Sequence, residues 1–358
     1  MNLPSDPEPQ AHPLRIFAQD LVTIGPRGGA HRVALRAGVS VLVPLMILVL
    51  VGRTEWTAYA AFGAFTALYG RHHVRSERAG MQVVAGCFLV LSVGLGVLLS
   101  AAPDARWLVV VVGALLAAAG SLASDAYRWH PPGPLFMIFG FAVCAIGHPG
   151  IDTLPIAVGI AAASAAFSLV VSHVGVVRDP DGLRRPALPS PQVRVALGRP
   201  GVYAHLIRYV IACSIAGAIA TGLGWAHPYW AMVAAVVVLA GPDFRSRITR
   251  GTHRVIGTLL GAVIAAVILS FHPQGVAAVL VIVVLQVVTE LFVGRNYALA
   301  LLFITPLALM MGQLVHPTPV AQLLRDRLLE TLLGAAIAMV VLVIVPDRLR
   351  RAPAPAAA

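Results

Sequence analysis

Four arginines lie close together in the stretch from residue 229 to residue 261, between two apolar runs of the chain. A guanidinium group forms bidentate hydrogen-bonded pairs with carboxylates, so clustered arginines attract organic anions. The positive-inside rule of membrane proteins explains the same arginines by topology alone. The sequence therefore predicts a short loop that is either an anion-attracting vestibule or only a determinant of orientation, at Arg245, Arg247, Arg250 and Arg254.

A fainter copy of this stretch lies upstream, where Trp56 aligns with Trp230 and Arg78 aligns with Arg250. An indole ring can stack on an aromatic ligand, although tryptophan also anchors helix ends at the membrane interface. Arg250 and Arg254 are four residues apart and share one face of any helix that contains both. The candidate substrate-binding residues are therefore Arg250, Arg254, Arg78, Trp230 and Trp56.

Carboxylates are the second group of residues that could do chemistry. The segment RDRLLET opens the last apolar run and places Asp326 and Glu330 four residues apart, on one helix face. Ionisable groups within a membrane are costly, and they tend to be paired or functional. Glu330, Asp326 and Glu290 are therefore candidates for proton coupling. The alternatives are that neighbouring arginine side chains extend to the interface, and that Glu290 pairs with Arg295.

No arrangement of residues typical of an enzyme is present. The sequence has no Walker loop, no HExxH, no GxSxG and no Cys/His spacing that suits zinc. We therefore expect that the protein is not an enzyme and that it uses no cofactor and no metal. The lack of a nucleotide site also argues against ATP-driven transport by this chain alone.

The composition indicates which elements carry these residues. Of 358 residues, 58% are hydrophobic and 11% are charged, whereas soluble domains contain about 25% charged residues. The net charge of +11 would suggest a nucleic-acid partner in a soluble protein. Here the charges lie between apolar runs, so we expect no nucleic acid. The sequence predicts an all-α membrane protein with about 12 transmembrane helices.

The apolar runs fall into two groups of six. The second, fifth and eighth runs are short for a bilayer, so they either tilt against partners or do not cross fully. The predicted spans cover roughly residues 33–52, 55–70, 79–101, 106–124, 133–149, 151–177, 204–224, 226–241, 252–271, 274–293, 296–316 and 319–346.

The positions of the arginines predict the orientation. With both termini in the cytoplasm, 22 of the 26 basic residues lie on the cytoplasmic side, and the other four are Arg53, Arg106, Arg325 and Arg327. An excess of arginine in cytoplasmic segments is the positive-inside signal. We therefore expect a multi-pass protein of the plasma (inner) membrane with both termini in the cytoplasm.

The two halves match each other in order, for example Arg36 with Arg208 and Arg128 with Arg295. Because each half has an even number of spans, the repeats are parallel and related by an axis along the membrane normal. The predicted divisions are a cytoplasmic N-terminal tail (1–30), a first six-helix repeat (31–177), a cytoplasmic Pro/Arg-rich linker (178–203), a second six-helix repeat (204–346) and a cytoplasmic C-terminal tail (347–358).

Glycines mark close contacts between the predicted helices. Gly257 and Gly261 form a GxxxG pattern, in which glycines four residues apart let two helices approach closely in lipid. The segment LLETLLG adds a glycine to the last span. The predicted helix-packing residues are Gly257, Gly261 and Gly334.

These motifs resemble the FUSC family, which is also called the fusaric acid resistance-like or aromatic acid exporter family. In that family, a span headed by tryptophan leads through a short polar loop into a helix with the pattern R-x-x-G-T-x-x-G. Here the tryptophan is Trp230 and the pattern is Arg254, Gly257, Thr258 and Gly261. The segment LLETLLGAAIA is similar to the closing helix of the family. When the two halves are aligned, Gln82 of the first half corresponds to Arg254, and Ala85 corresponds to Gly257.

The resemblance implies an integral membrane transporter that exports aromatic or other organic acids by using the proton gradient. Plant malate channels are distantly similar, which keeps a passive organic-anion channel open as an alternative. A third interpretation is a non-transporting membrane scaffold whose basic linker binds anionic lipid. The expected partners are a small organic anion and membrane lipids, and the sequence leaves a homo-oligomer open.

Overall fold

The computed structural model describes residues 19–26, 29–71, 75–102, 105–146, 150–173 and 188–346. Over these residues the chain forms helices joined by turns, without strands, so the predicted all-α class is confirmed. The α-helices are α1 (Ala30–Leu50), α2 (Thr57–Ala64), α3 (Arg75–Ser100), α4 (Ala105–Ala126), α5 (Leu135–Ile146), α6 (Leu154–His173), α7 (Val193–Leu197), α8 (Val202–Gly222), α9 (Tyr229–Leu239), α10 (Phe244–Ser270), α11 (Gly275–Phe292), α12 (Tyr297–Val315) and α13 (Val320–Ile344).

Nine stretches in the described part of the chain are long and apolar enough to cross a membrane. They correspond to α1, α3, α4, α6, α8, α10, α11, α12 and α13. The three predicted spans at 55–70, 133–149 and 226–241 instead contain the short helices α2, α5 and α9. The predicted number of about twelve transmembrane helices is therefore not confirmed, although each predicted span coincides with a helix.

The short helices lie inside the bundle. All 11 residues of α9 are buried, and at 1.5 Å per residue this helix is only about 17 Å long. In α2, the buried residues run almost without interruption from Thr57 to Ala64. A helix that is apolar on every side is one that other helices surround. The long helices carry the exposed apolar side chains, including Leu260, Val263 and Val267 on α10.

The helices pack in corresponding pairs. In the first half, α3 packs on α5 and α2 packs on α6, while in the second half α10 packs on α12 and α9 packs on α13. The two halves meet through α1 against α11 and α4 against α8, which are again corresponding pairs. The helix α7 lies within the predicted linker 178–203 and packs against α4.

The helix α10 begins eight residues earlier than the predicted span at residue 252. The prediction of a loop that carries Arg245, Arg247, Arg250 and Arg254 is therefore wrong, because all four lie on α10. The reason is a helix cap: the Asp243 carboxylate accepts hydrogen bonds from the backbone N–H of Ser246 at 2.8 Å and from its hydroxyl at 2.9 Å. These bonds lower the pKa of Asp243, and they stabilise the first turn.

Residues 19–26 lie across one end of the bundle. The carbonyl oxygen of Leu21 is 3.1 Å from Nε2 of His253, and it accepts a hydrogen bond from the Asn296 amide at 3.1 Å. The Gly25 N–H donates to the carbonyl oxygen of Arg295 at 3.0 Å. We call this end, with residues 19–26, 240–243 and 293–296, the basic end. The opposite end, with residues 226–228 and 316–319, is the distal end.

The three predicted packing glycines lie at close helix contacts. A β-carbon added to Gly257 would lie 2.6 Å from Cβ of Leu301, and one added to Gly261 would lie 2.5 Å from the carbonyl oxygen of the same residue on α12. A β-carbon on Gly334 would meet the backbone of Ala231 on α9. The second-half helices therefore approach one another at backbone distance.

We expect Gly334→Ala to lower the free energy of unfolding by about 1–3 kcal/mol, the usual cost of overpacking. The reason is that the new methyl group would meet the Ala231 carbonyl on the fully buried helix α9. Thermal unfolding in detergent measures the change. Gly159→Ala is the matched control, because the space beside Gly159 on α6 is open and alanine favours a helix by about 1 kcal/mol. Equal melting temperatures of Gly334→Ala and the wild type would contradict the close contact.

Candidate functional site

Three charged residues are buried near the distal end of α13. Asp326 is 5% exposed, Arg327 is 2% exposed and Glu330 is 0% exposed. They lie together because α13 begins at Val320, so that the charged segment occupies its second and third turns. The alternative that the Arg327 side chain extends to the membrane interface is therefore wrong. These charges face other helices.

The indole of Trp230 contacts an imidazole and a guanidinium group at this point. The ring of His227 stacks on it, with a centroid distance of 4.5 Å and an interplanar angle of 12°. The guanidinium carbon of Arg327 lies 4.9 Å from the centroid of the indole ring, within the range of a cation–π interaction. His227 Nδ1 is 3.5 Å from Oδ2 of Asp326. We call these residues, with Glu330, the Trp230 cluster.

The Trp230 cluster holds polar atoms that have no partner among the described residues. Nε of Arg327 and Nε1 of Trp230 are buried without a hydrogen bond. The buried Glu330 carboxylate faces the backbone N–H of His227 and has no side-chain partner in the part of the chain that the structure describes. Each such atom costs about 1–3 kcal/mol of desolvation. Unsatisfied groups of this kind in a native protein indicate a strained or functional position, or a site for water or a ligand.

His227 lies in the connection between α8 and α9, outside both helices. Burial lowers the pKa of this imidazole, and the carboxylate of Asp326 partly opposes the shift by favouring the charged form. The sequence analysis did not single out His227. The one available signal was its position, three residues before Trp230 at the entrance to a short apolar run.

An apolar cavity of about 300 Å³ adjoins the Trp230 cluster. It lies between the two halves, because its walls come from α1, α2 and α5 on one side and from α12 and α13 on the other. A volume of this size is at the lower limit of small-molecule sites, which run from about 300 to 1,000 Å³. Its aromatic and imidazole walls are Phe62, Phe65, Phe139, Tyr229, His227 and His316.

Arg250 and Arg254 meet at a tyrosine nearer the basic end. The side chain of Arg254 is 2% exposed and donates a hydrogen bond to the hydroxyl oxygen of Tyr297 at 3.2 Å. The guanidinium carbon of Arg250 lies 6.0 Å from the ring centroid of the same tyrosine. The positive charge of Arg254 interacts with that of Arg327 on α13. Polar side chains thus extend through the second half from the Trp230 cluster towards Tyr297.

The remaining candidate residues lie elsewhere. Glu290 forms an ion pair with Arg71 at 2.7 Å, so the expected pairing of Glu290 with Arg295 is wrong. Arg78 lines the same open cleft as this pair at the basic end. Trp56 is half-buried at the distal end of α2, under the guanidinium group of Arg53 at 4.9 Å. The structure therefore brings together Trp230, Asp326 and Glu330, whereas Arg78 and Glu290 line the cleft at the basic end.

Comparison with known proteins confirms the resemblance over the second half. Residues 214–341 match the family described as "Fusaric acid resistance protein-like". This range contains Trp230, Arg250, Arg254, Asp326 and Glu330.

Parts of the chain are also similar to curated bacterial proteins. "Uncharacterized membrane protein YvaC" of Bacillus subtilis (strain 168) is 34% identical over 115 residues, which are 32% of this chain and 18% of that protein. "Inner membrane protein YccS" of Escherichia coli (strain K12) is 30% identical over 137 residues, which are 38% of this chain and 19% of that protein. The matches therefore span less than a fifth of the length of these relatives. No solved structure matches the chain.

The ion pair of Arg71 and Glu290 yields a stability prediction. Breaking a buried pair by removing one partner costs about 3–5 kcal/mol, because the other charge is left uncompensated. We expect Glu290→Gln to lower the free energy of unfolding by about 3 kcal/mol, and the double variant Arg71→Met/Glu290→Gln to recover part of that loss. Denaturant unfolding in detergent measures both. A double variant less stable than the sum of the single changes would contradict a buried pair.

The pKa of His227 can be measured directly. We expect the imidazole to titrate below its usual pKa of 6.5, in an NMR titration of histidine-labelled protein in detergent. Asp326→Asn removes the carboxylate that favours the imidazolium form, so this variant should lower the pKa further. The resonance is assigned by its loss in His227→Gln. An unchanged pKa in Asp326→Asn would show that the two side chains do not interact, and a raised pKa would contradict the expected direction.

Proposed function

Since residues 214–341 are a fusaric acid resistance protein-like segment in a multi-pass membrane protein, we propose that this chain carries small organic anions across the membrane, coupled to protons. The observation that carries the proposal is the Trp230 cluster beside the aromatic cavity between the two halves. Ionisable residues buried among membrane helices are the usual components of substrate and proton pathways.

The chain is organised as two parallel six-helix repeats in this proposal, at residues 31–177 and 204–346. The corresponding helix pairs support it, since α2–α6 corresponds to α9–α13 and α3–α5 to α10–α12. Repeats of this kind are related by an axis along the membrane normal, and substrate sites lie near the bilayer midplane at the repeat interface. In this proposal, the cavity lined by Phe62, Phe65 and Tyr229 lies at the interface between the two repeats.

The substrate class follows from the chemistry of the walls. Aromatic rings line the cavity, and Tyr229 stacks against Phe139 with a centroid distance of 6.1 Å. His227 borders both the cavity and the Trp230 cluster, so its imidazole can donate a hydrogen bond to a carboxylate bound among the rings. A small aromatic or other organic acid combines these two features. Arg327 supplies the positive charge, and its guanidinium carbon lies 4.9 Å from the centroid of the Trp230 indole.

Protons move through the carboxylates in the proposed mechanism. Glu330 takes up or releases a proton as the anion enters or leaves, and Asp326 sets the charge of His227. Among the residues that the structure describes, only the second half has such a site. In the first half, Gln82 is neutral and donates hydrogen bonds to the carbonyl oxygen of Tyr69 at 3.2 Å and to Ser172 at 3.1 Å. The helix α6 carries no arginine, aspartate or glutamate, unlike α13.

The arginine distribution supports the orientation. The basic end is the cytoplasmic side in this proposal, both termini lie in the cytoplasm, and the membrane is the inner membrane. The direction of net transport is then export, from the side of Arg250 and Arg254 to the side of His227. A passive organic-anion channel uses the same buried cations without Glu330. Arg254 favours this second candidate, because its Nε and Nη2 atoms have no hydrogen-bond partner among the described residues.

Transport by purified protein in liposomes tests the proposal. We expect a pH gradient to drive accumulation of labelled benzoate-type carboxylates, and Glu330→Gln to abolish the dependence on the gradient. The matched control is Glu55→Gln, because Glu55 is half exposed at the distal end and pairs with Arg53 at 3.5 Å. This control should retain coupled transport.

Other outcomes separate the alternatives. Flux without gradient dependence that Arg254→Ala reduces would support the channel and would refute proton coupling. No flux above protein-free liposomes for any organic acid, with a correctly folded protein, would favour the scaffold. In that case, removal of the linker arginines should abolish binding to anionic vesicles while Glu330→Gln leaves it intact.

A further inference from the structure

A polar cavity lies at the basic end, whereas the Trp230 cluster lies near the distal end. It is an open cleft of about 820 Å³ between the first turns of α1 and the ends of α6 and α11. We call it the basic cleft. Its charged walls, within the described residues, are Arg32, Arg36, Arg71, Arg78, Arg295 and Glu290.

The basic cleft has a large excess of positive charge. Its carboxylate, Glu290, is already paired with Arg71 at 2.7 Å. The charges of Arg36 and Arg71 repel each other, and Nε of Arg36 is buried without a hydrogen-bond partner in the described part of the chain. Guanidinium groups that converge in this way match the oxygen atoms of a phosphate. The charge balance therefore favours an anionic ligand.

The same cleft has an apolar wall. Val33, Leu35 and Val39 of α1 line it together with Val171 and Leu291, and Leu35 is 67% exposed. Arg32 and Arg36 are four residues apart on α1, and so are Leu35 and Val39, so a basic row runs beside an apolar row along one helix. A free phosphate ion uses only the basic row. A lipid uses both, with its headgroup on the arginines and an acyl chain along the apolar row.

The corresponding place in the second half is built differently. A smaller cleft of about 440 Å³ lies between the start of α8, the end of α4 and the start of α10. There, Arg199 lies 3.3 Å from Asp125, and Nε of Arg247 donates to the carbonyl oxygen of Gly241 at 2.9 Å. Its lining has no exposed apolar side chain comparable to Leu35. This cleft provides an internal control.

We propose that the basic cleft is a binding site for an anionic phospholipid, with the phosphate between Arg32, Arg36 and Arg71 and an acyl chain against Leu35 and Val39. Basic pockets between membrane helices at the cytoplasmic surface suit such headgroups. The site is separate from the Trp230 cluster and goes beyond the proposed transport function. Lipid binding here does not depend on whether the protein transports anions.

Native mass spectrometry of the full chain in detergent, with added phosphatidylglycerol, measures the binding. Each arginine near an anionic headgroup contributes about a fivefold change in affinity. We expect Arg32→Ala/Arg36→Ala to weaken phosphatidylglycerol binding by about 25-fold, and Leu35→Ser to weaken it without changing the charge. Phosphatidylcholine should bind weakly to every variant.

Three further variants test whether the effect is specific to the charges of the basic cleft. Arg53→Ala/Arg106→Ala removes two exposed charges from the other side of the bundle, and Arg199→Ala alters the second cleft; both should bind phosphatidylglycerol as the wild type does. Arg32→Lys/Arg36→Lys keeps the charge and should retain most of the affinity. Thermal unfolding confirms that each variant is folded.

A competition experiment decides whether the bound phosphate belongs to a lipid or to a soluble anion. We expect sn-glycerol 1-phosphate and inorganic phosphate, which lack an acyl chain, to displace phosphatidylglycerol only at concentrations far above that of the lipid. Displacement by either at equal concentration would overturn the lipid assignment and indicate a site for a soluble anion. Unchanged phosphatidylglycerol binding by a folded Arg32→Ala/Arg36→Ala variant would overturn the site itself.

Discussion

The hydrocarbon interior of a membrane offers no water, so each polar group there must be satisfied by the protein or have a function. Asp326, Arg327 and Glu330 impose this constraint most strongly, because all three lie on one spanning helix and are nearly inaccessible. The second half is arranged around them. Trp230 covers the guanidinium group, His227 approaches the aspartate, and Gly334 lets α13 approach the backbone of α9.

Hydropathy located the helices well because apolar length is a local property of the sequence. It could not distinguish a helix that faces lipid from one surrounded by protein, since α9 is as apolar as any spanning helix and yet all of its residues are buried. The start of α10 was missed for another local reason. Arginines suggested a loop, whereas the cap by Asp243 extends the helix through Arg245 and Arg254.

The site was only partly accessible to sequence reasoning. Trp230, Asp326 and Glu330 were identified because charges and indoles are rare in apolar runs. Their grouping depends on the packing of α9 on α13, which brings together residues about a hundred positions apart. His227 was missed because a lone histidine before a short run has no pattern. Proximity in sequence made Arg295 one alternative partner for Glu290, but the fold supplies Arg71 from the other half.

The short helix α9 has an electrical consequence. Its length of about 17 Å is much less than the hydrocarbon thickness of about 30 Å, so α9 alone does not reach across a bilayer. The segments that adjoin it, with His227 at one end and residues 240–243 at the other, cover the remaining distance. If water reaches these segments, the membrane voltage falls over a shorter insulating layer beside α9. In the proposed function, a charge that moves near Trp230 then experiences a steeper field than one that crosses the bare bilayer.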